Sequence, residues 1–288
     1  MRDDRMVLWN GVLVAASEVR ISPWDRGLLL GDGAFETLRA DEGRVHRIHA
    51  HAARLARTLA ALRIAPPDTL ACSATRFAEL LAANGLDSGC VRLRWTVTRG
   101  ALSGGGLPGG TVPTELVTAE RYSAPDDDAY AQGWSVLVSD HMLAPSVAAH
   151  KSLSYLPCLL ARQDALDRGH DECLLRAPDG SIAEGSASSI LLFRDEVAIV
   201  PDTPHQLAGI TRTAVCALLE ADGITVHARC VTDEDLAIAD TIWCCNALLG
   251  IMPAASIGSR AWPAPRMLPH LRAGLAARIR TRLFSSSH

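Results

Sequence analysis

The chain has 288 residues, 48% of them hydrophobic and 21% charged, with a formal net charge of −4. These values fit a soluble globular protein with one large or two ordinary cores. They leave no basic run or tail to meet nucleic acid, and no apolar stretch reaches the roughly 18 residues of a membrane helix.

The start, MRDDRMVLWNG, lacks a basic-then-apolar leader, so the expected compartment is the cytosol. Asn10-Gly11 between two short apolar runs predicts a first hairpin. Strand-like segments follow, with a second turn at Asp41-Glu42-Gly43. IHAHAARLARTLAALRI sets Ile48, Leu55, Leu59 and Leu62 at helical spacing. CSATRFAELLAANG predicts another helix stopped by Asn84-Gly85. CVRLRWTVTRG reads as a strand and ALSGGGLPGG as a glycine-rich loop.

PDDDAYAQG, polar and opened by a proline, is the best linker. The expected division is a small domain over 1–124, a linker over 125–131 and a larger domain over 132–288. The second part opens on the strand WSVLVSD and the helix SYLPCLLARQDALDRG. Short strands follow, with turns at Pro178-Asp179-Gly180 and Arg194-Asp195-Glu196. GITRTAVCALLEADG is a helix, DTIWCCNALLGIMPAASIG strand, loop and strand, and PHLRAGLAARIRTRLF a closing amphipathic helix. The class is α/β or α+β. The eight cysteines are scattered and most read as buried thiols, with no metal site expected.

Lys151 is the only lysine; every other basic residue of the Lys+Arg set is arginine. Biased composition alone can produce that. Chemistry offers a sharper reason: arginine stays protonated, whereas a lysine amine can lose its proton and form an imine with a carbonyl. The common carbonyl cofactor that docks on lysine is pyridoxal 5′-phosphate, which also needs an acid at its pyridine nitrogen and an anion site. Glu184, in the apolar and small-residue stretch SIAEGSASSILLF, is a carboxylate that burial would penalise unless paired. It is a candidate for the acid, or else an exposed turn glutamate. AGITRTAV offers the backbone N–H groups of Ile210 and Thr211 at a helix start, a phosphate cup or an ordinary capped helix. Arg54 is a candidate cation, or a surface arginine.

Taken together and in order, DRGLLLGDGAFETLR, HAARL, HKSLSYLP, DGSIAEGSASSILLF, GITR and CNALLGIMP resemble the class IV pyridoxal-phosphate aminotransferases. That family, of fold type IV, includes branched-chain and D-amino-acid aminotransferases and aminodeoxychorismate lyases. The resemblance spans residues 8 to 255 or so. It implies a small α/β N-terminal domain, a larger C-terminal domain with a strand-rich, barrel-like core, a homodimer, and a cofactor site between the domains near the partner chain. It implies that Lys151 carries the cofactor, Glu184 faces the pyridine nitrogen and Arg54 binds phosphate. Ile210 and Thr211 would supply the backbone cup, with Asn246 and Ala247 in a second phosphate loop. Tyr155 matches a tyrosine that some members place beside the cofactor. Ser189 departs from the asparagine common at its position.

The core motifs are shared by transaminases and lyases. CNALLGIMP and TRGALSGGGL resemble the lyase forms, Thr37 matches a threonine that lyases use near the substrate, and the Ser-Pro-Arg-x-His carboxylate trap is absent. KSLSYLPCLLARQDA is closer to the generic form. The expected reaction is therefore cleavage of 4-amino-4-deoxychorismate to 4-aminobenzoate and pyruvate, with amino transfer from D- or branched-chain amino acids as the alternative. A dicarboxylate substrate calls for cations; Arg92, Arg94 and Arg99 are candidates, each with a surface role as the alternative, and Arg92 and Arg94 share a face by alternation.

Overall fold

The computed structural model describes residues 4–102, 112–144, 146–263 and 268–281. They form two compact units: residues 1–124 with 150–154, and residues 125–149 with 155–288.

The first unit is a six-stranded antiparallel sheet backed by helices. Its elements in chain order are β1 (Met6–Trp9), β2 (Val12–Ala15), α1 (Arg26–Leu30), β3 (Gly33–Asp41), β4 (Arg44–Val45), α2 (Ile48–Ala61), α3 (Thr69–Ala83), β5 (Cys90–Thr98) and β6 (Thr114–Arg121). The strand order is β2-β1-β6-β5-β3-β4. Asn10 and Gly11 both take positive φ (47° and 79°), as the two-residue hairpin turn between β1 and β2 requires. Glu42 and Gly43 do the same between β3 and β4. One face of the sheet, with Leu38, Ala40, Leu93, Trp95 and Val117, is buried with Leu55 and Leu59 of α2 and Phe77, Leu80 and Leu81 of α3. The Phe77 and Trp95 rings meet edge to face, centroids 5.0 Å apart. Truncating either to alanine would cost about 3–5 kcal/mol.

The segment with Lys151 belongs to this unit, although the sequence division put it in the second part. Phe35 N–H donates to Lys151 O and Leu153 N–H to Gly33 O, both at 2.9 Å. An isolated bridge joins Ala34 to Ser152. Residues 151–153 thus extend the free edge of β3.

The second unit begins with α4 (Asp127–Gln132) and β7 (Trp134–Met142), followed by α5 (Leu156–Asp167), β8 (Glu172–Arg176), β9 (Ile182–Gly185), β10 (Ser189–Arg194) and β11 (Val197–Pro201). Then come α6 (Ile210–Ala221), β12 (Val226–Arg229), α7 (Asp233–Ile238), β13 (Thr241–Asn246), β14 (Gly250–Ile257), β15 (Arg260–Ala261) and α8 (Leu268–Thr281). Most of the segment read as a linker is therefore α4. Asp126 caps it by accepting from Ala129 N–H at 2.8 Å, and two more aspartates complement the dipole of its first turn. The strand order is β12-β11-β10-β13-β14-β7-β8-β9, with β15 on β14. The sheet curls into a half-barrel, so that β9 comes round to β10. Two helices make crossovers between parallel neighbours, α5 between β7 and β8 and α6 between β11 and β12. One core fills the concavity around Leu174, Ile190, Leu192, Ile242 and Cys244. Another joins Leu191, Trp243 and Ile251 to Val215 and Leu219 of α6 and to Leu271 of α8.

Candidate active site

In the first unit the chemistry gathers on β3, whose two faces do different things. Phe35 and Thr37 point to the face away from α2 and α3. Thr37 is directly opposite Arg94 of β5, which is opposite Thr118 of β6, so their side chains share that face. The Arg94 guanidinium lies 3.4 Å from the Phe35 ring centroid. The Lys151 Nζ lies 4.5 Å from the same centroid. Phe35, which the sequence reading did not single out, thus has the amine and a guanidinium against one ring.

Glu36, between them in sequence, points the other way, into the interface with α2. It has no exposed surface. Arg54 donates to it through Nε and Nη2, to Oε1 and Oε2 respectively, each at 2.7 Å. His51 Nδ1 meets Oε2 at 2.7 Å. Burial alone would raise the Glu36 carboxyl, but the hydrogen bonds from Arg54 and His51 outweigh it and hold it at about 2. Burial, seconded by Arg54 and Lys151, pushes the His51 imidazole below its ordinary value despite Glu36. The neutral ring then carries its proton on Nδ1, where the bond to Glu36 needs a donor. Arg54 is therefore buried, which sets aside the alternative of a surface arginine.

The three arginines proposed for substrate carboxylates part company. Arg92 is exposed and paired with Glu120 across β5 and β6, Nε donating at 2.8 Å. Arg99 is buried. Its Nε and Nη2 reach Asp32 at 2.7 and 3.0 Å, and its Nη1 and Nη2 donate to the carbonyls of Arg63 and Leu62 just past α2. It ties the end of a helix to a loop. Only Arg94 joins Thr37 and Lys151.

In the second unit Glu184 sits on β9, half-buried and not on an exposed turn, and its Oε2 accepts from Leu207 N–H at 3.2 Å. The Tyr155 hydroxyl donates to Ser186 O at 2.5 Å. Burial raises its phenol above the ordinary value. The loop after Glu184 hangs on Glu172, which sequence reasoning missed. This wholly buried carboxylate accepts from the Ser186 hydroxyl, from Ser188 Oγ at 3.0 Å and from the N–H groups of Cys173 and Ser186. The alternation in GSASS, with Ser186 and Ser188 two apart, was the available signal.

α6 starts at Ile210 behind Gly209, with no side-chain cap and no acidic residue in its first turn. Its first-turn N–H groups, those of Ile210 and Thr211 among them, have no acceptor within the helix. A Cβ at Gly209 would fall 2.2 Å from Ser189 Oγ and 3.3 Å from Ser189 Cβ, so β10 and this helix start approach closely there. Asn246 organises the neighbouring hairpin. Its Oδ1 accepts from the N–H groups of Leu248 and Leu249 at 2.9 Å and its Nδ2 donates to Ala187 O at 3.1 Å, setting Ala247 at the bend. The second half of TRGALSGGGL, residues 103–107, lies outside the described residues.

In the first unit an amine beside an aromatic ring and a braced arginine, and in the second a positioned carboxylate and an uncapped helix start, are groups of the kinds that pyridoxal 5′-phosphate requires. Comparison with known proteins agrees. Residues 33–257 match the model of the family amino-transferase class IV. A putative branched-chain-amino-acid aminotransferase of Methanocaldococcus jannaschii is 31% identical over 256 residues, 87% of each chain. The D-alanine aminotransferase of Bacillus licheniformis is 30% identical over 260 residues, 87% of this chain and 88% of that one. The crystal structure of 4-amino-4-deoxychorismate lyase from Pseudomonas aeruginosa superposes with a TM-score of 0.78 at 31% identity, covering 90% of this chain and 95% of that one. Fold and family thus define a pyridoxal-phosphate-dependent enzyme. The chain belongs to the class IV aminotransferase family, in which these relatives divide between amino transfer and a lyase reaction.

Proposed function

We propose that this enzyme is a 4-amino-4-deoxychorismate lyase, releasing 4-aminobenzoate and pyruvate and so serving folate synthesis. The observation that carries the reading is the cluster on the outer face of β3: Thr37 and Arg94 opposite each other, with Lys151 on the Phe35 ring that Arg94 also covers. The glycine-rich and CNALLGIMP segments, lyase-like in sequence, add support.

When bound, pyridoxal phosphate supplies an aldehyde for the lysine amine and a ring that draws electrons from the substrate carbon bearing nitrogen. Lys151 would hold it through its amine, and the same amine, when free, would take the proton from that carbon. Glu184, its carboxylate oriented by Leu207 N–H, would favour a proton on the pyridine nitrogen. Arg54, Ile210 and Thr211 would bind the phosphate, Asn246 and Ala247 would offer a second contact to it, and Tyr155 would serve the cofactor ring. Arg94 pairs with a substrate carboxylate. The proton that Lys151 would take from the carbon would pass to the departing enolpyruvyl oxygen, held by the Thr37 hydroxyl; the C–O bond breaks, the enol leaves and tautomerises to pyruvate, and loss of the C–H and C–O bonds leaves the product ring aromatic.

The second reading, amino transfer from D- or branched-chain amino acids, is favoured by the identity to aminotransferases of both kinds. Incubation with aminodeoxychorismate, with pyruvate read by a coupled lactate dehydrogenase, separates the two. Pyruvate at the rate of 4-aminobenzoate formation is expected. Rapid transfer from D- or L-amino acids to 2-oxoglutarate with no pyruvate from aminodeoxychorismate would overturn the lyase.

The protein further acts as a homodimer, with a second copy covering the apolar side chains of α1. We place it in the cytosol: all eight of its cysteines are free thiols, which suits a reducing compartment. No helix among the described residues is long and apolar enough to cross a membrane.

A further inference from the structure

Three polar groups are buried where β3 meets α2, an interface otherwise built from Leu38, Leu55, Leu59 and their neighbours. A buried ion pair is seldom more stabilising than apolar side chains of the same volume, so the cluster calls for a use beyond stability. Its geometry shows one. Glu36 grips Arg54 through two parallel hydrogen bonds of 2.7 Å, which fix the plane of the guanidinium as well as its position. His51, one turn before Arg54 on the same face of α2, holds Oε2 of that carboxylate from a second direction. The carboxylate is thereby kept from rotating, and the arginine with it.

We propose that Glu36 and His51 are positioning residues that act through Arg54 to set the affinity for the phosphate group of the cofactor. They do not touch the reacting atoms. The stretch Phe35-Glu36-Thr37 then divides its work by face: the outer residues meet Lys151 and Arg94, and the inner one fixes the anion-binding arginine. This rests on the cofactor reading above.

The test is equilibrium titration of the cofactor-free protein with pyridoxal 5′-phosphate and, separately, with pyridoxal, which lacks the phosphate. Binding is followed by protein fluorescence and thermal melting, without turnover. Arg54→Gln should weaken the phosphorylated compound selectively. Glu36→Gln and His51→Leu should do the same, by roughly 10-fold to 100-fold for loss of a charge-assisted bond, with pyridoxal little affected. His51→Asn, whose side-chain amide places a donor where Nδ1 lies, should restore most of the loss.

If Arg54→Gln is phosphate-selective but Glu36→Gln and His51→Leu weaken both compounds equally, or neither, the inference fails and the cofactor reading stands. Should Glu36→Gln not fold, the His51 pair decides alone: equal affinities for His51→Leu and His51→Asn overturn it. If Arg54→Gln itself lacks phosphate selectivity, the role given to Arg54 falls first.

Discussion

Arg94 and Arg99 are five residues apart on one β-strand and its exit, yet their surroundings give them opposite uses. Arg99 has Asp32 and two carbonyls around its donors. Arg94 lies on an aromatic ring beside the only lysine. Arg94→Leu keeps much of the packing on Phe35 and removes the charge. We expect KM for the dicarboxylate substrate to rise about 10-fold or more, with a smaller change in kcat, in steady-state assays. A kcat loss at unchanged KM would place Arg94 outside carboxylate binding. At this scale the sequence was informative where a residue type is chemically irreplaceable. Lys151 stood out because no arginine can form an imine. Glu36 did not, because its role depends on a helix turn 15 and 18 residues away. In the fold β3 alternates with Ala34, Leu38 and Ala40 buried, Glu36 is buried between them, and α2 supplies its partners.

Elements were legible wherever local chemistry fixes the backbone. The turn at Asn10-Gly11 needs two positive φ angles, and these residues tolerate them. The run Asp126-Asp127-Asp128, read as a solvated linker, is equally the start of a capped helix, and α4 forms because the cap satisfies its first turn. Helix α1 was the least legible. Its five residues hold together through Asp25, which caps Gly27 N–H at 2.8 Å, and Asp32, which Arg26 and Arg99 clamp. Burial would raise the Asp32 carboxyl, but both arginines outweigh it and hold it below the ordinary range. This bracing lets α1 present Leu28, Leu29 and Leu30 outward, at 66%, 54% and 63% exposure, beside Trp24 at 63%. A contiguous apolar surface of this kind marks an association site. Leu28→Glu with Leu30→Glu should therefore convert the proposed dimer to monomer in sedimentation equilibrium, with the melting temperature of Arg99-dependent structure in the monomer little changed. A wild-type chain that sediments as a monomer at micromolar concentration would refute the assembly.

The family was readable across the whole chain because its motifs recur in order, whereas the reaction was not: amino transfer and elimination share the lysine, the acid and the phosphate cup, and differ in side chains that only spatial register collects. Nor could the sequence assign residues 150–154 to the first unit, since one bridge and two hydrogen bonds to β3 make that assignment. Stability against pH is the property that sums over the molecule, and its buried acids pull in opposite directions. Glu36, held at about 2 against an ordinary 4.5, binds fewer protons folded than unfolded. Its contribution, on the order of 3 kcal/mol, is complete above pH 4.5 or so and is lost as the pH falls toward 2. His51, kept neutral by burial, likewise favours the folded state above its ordinary 6.5 and disfavours it in acid. Glu115 has the reverse sign. Burial raises its carboxyl although Thr69 and Trp95 donate to Oε1, and Oε2 has no partner among the described residues. Its stabilising contribution is present below 4.5 and lost as the pH rises, because ionising it inside the fold is unfavourable. Glu115→Gln keeps the acceptor for Trp95 and cannot ionise. The melting temperature of the variant relative to wild type should accordingly climb between pH 4.5 and pH 8, whatever the offset at the acid end. A difference that stays flat over that interval would mean that Glu115 is ionised in the folded protein at little cost.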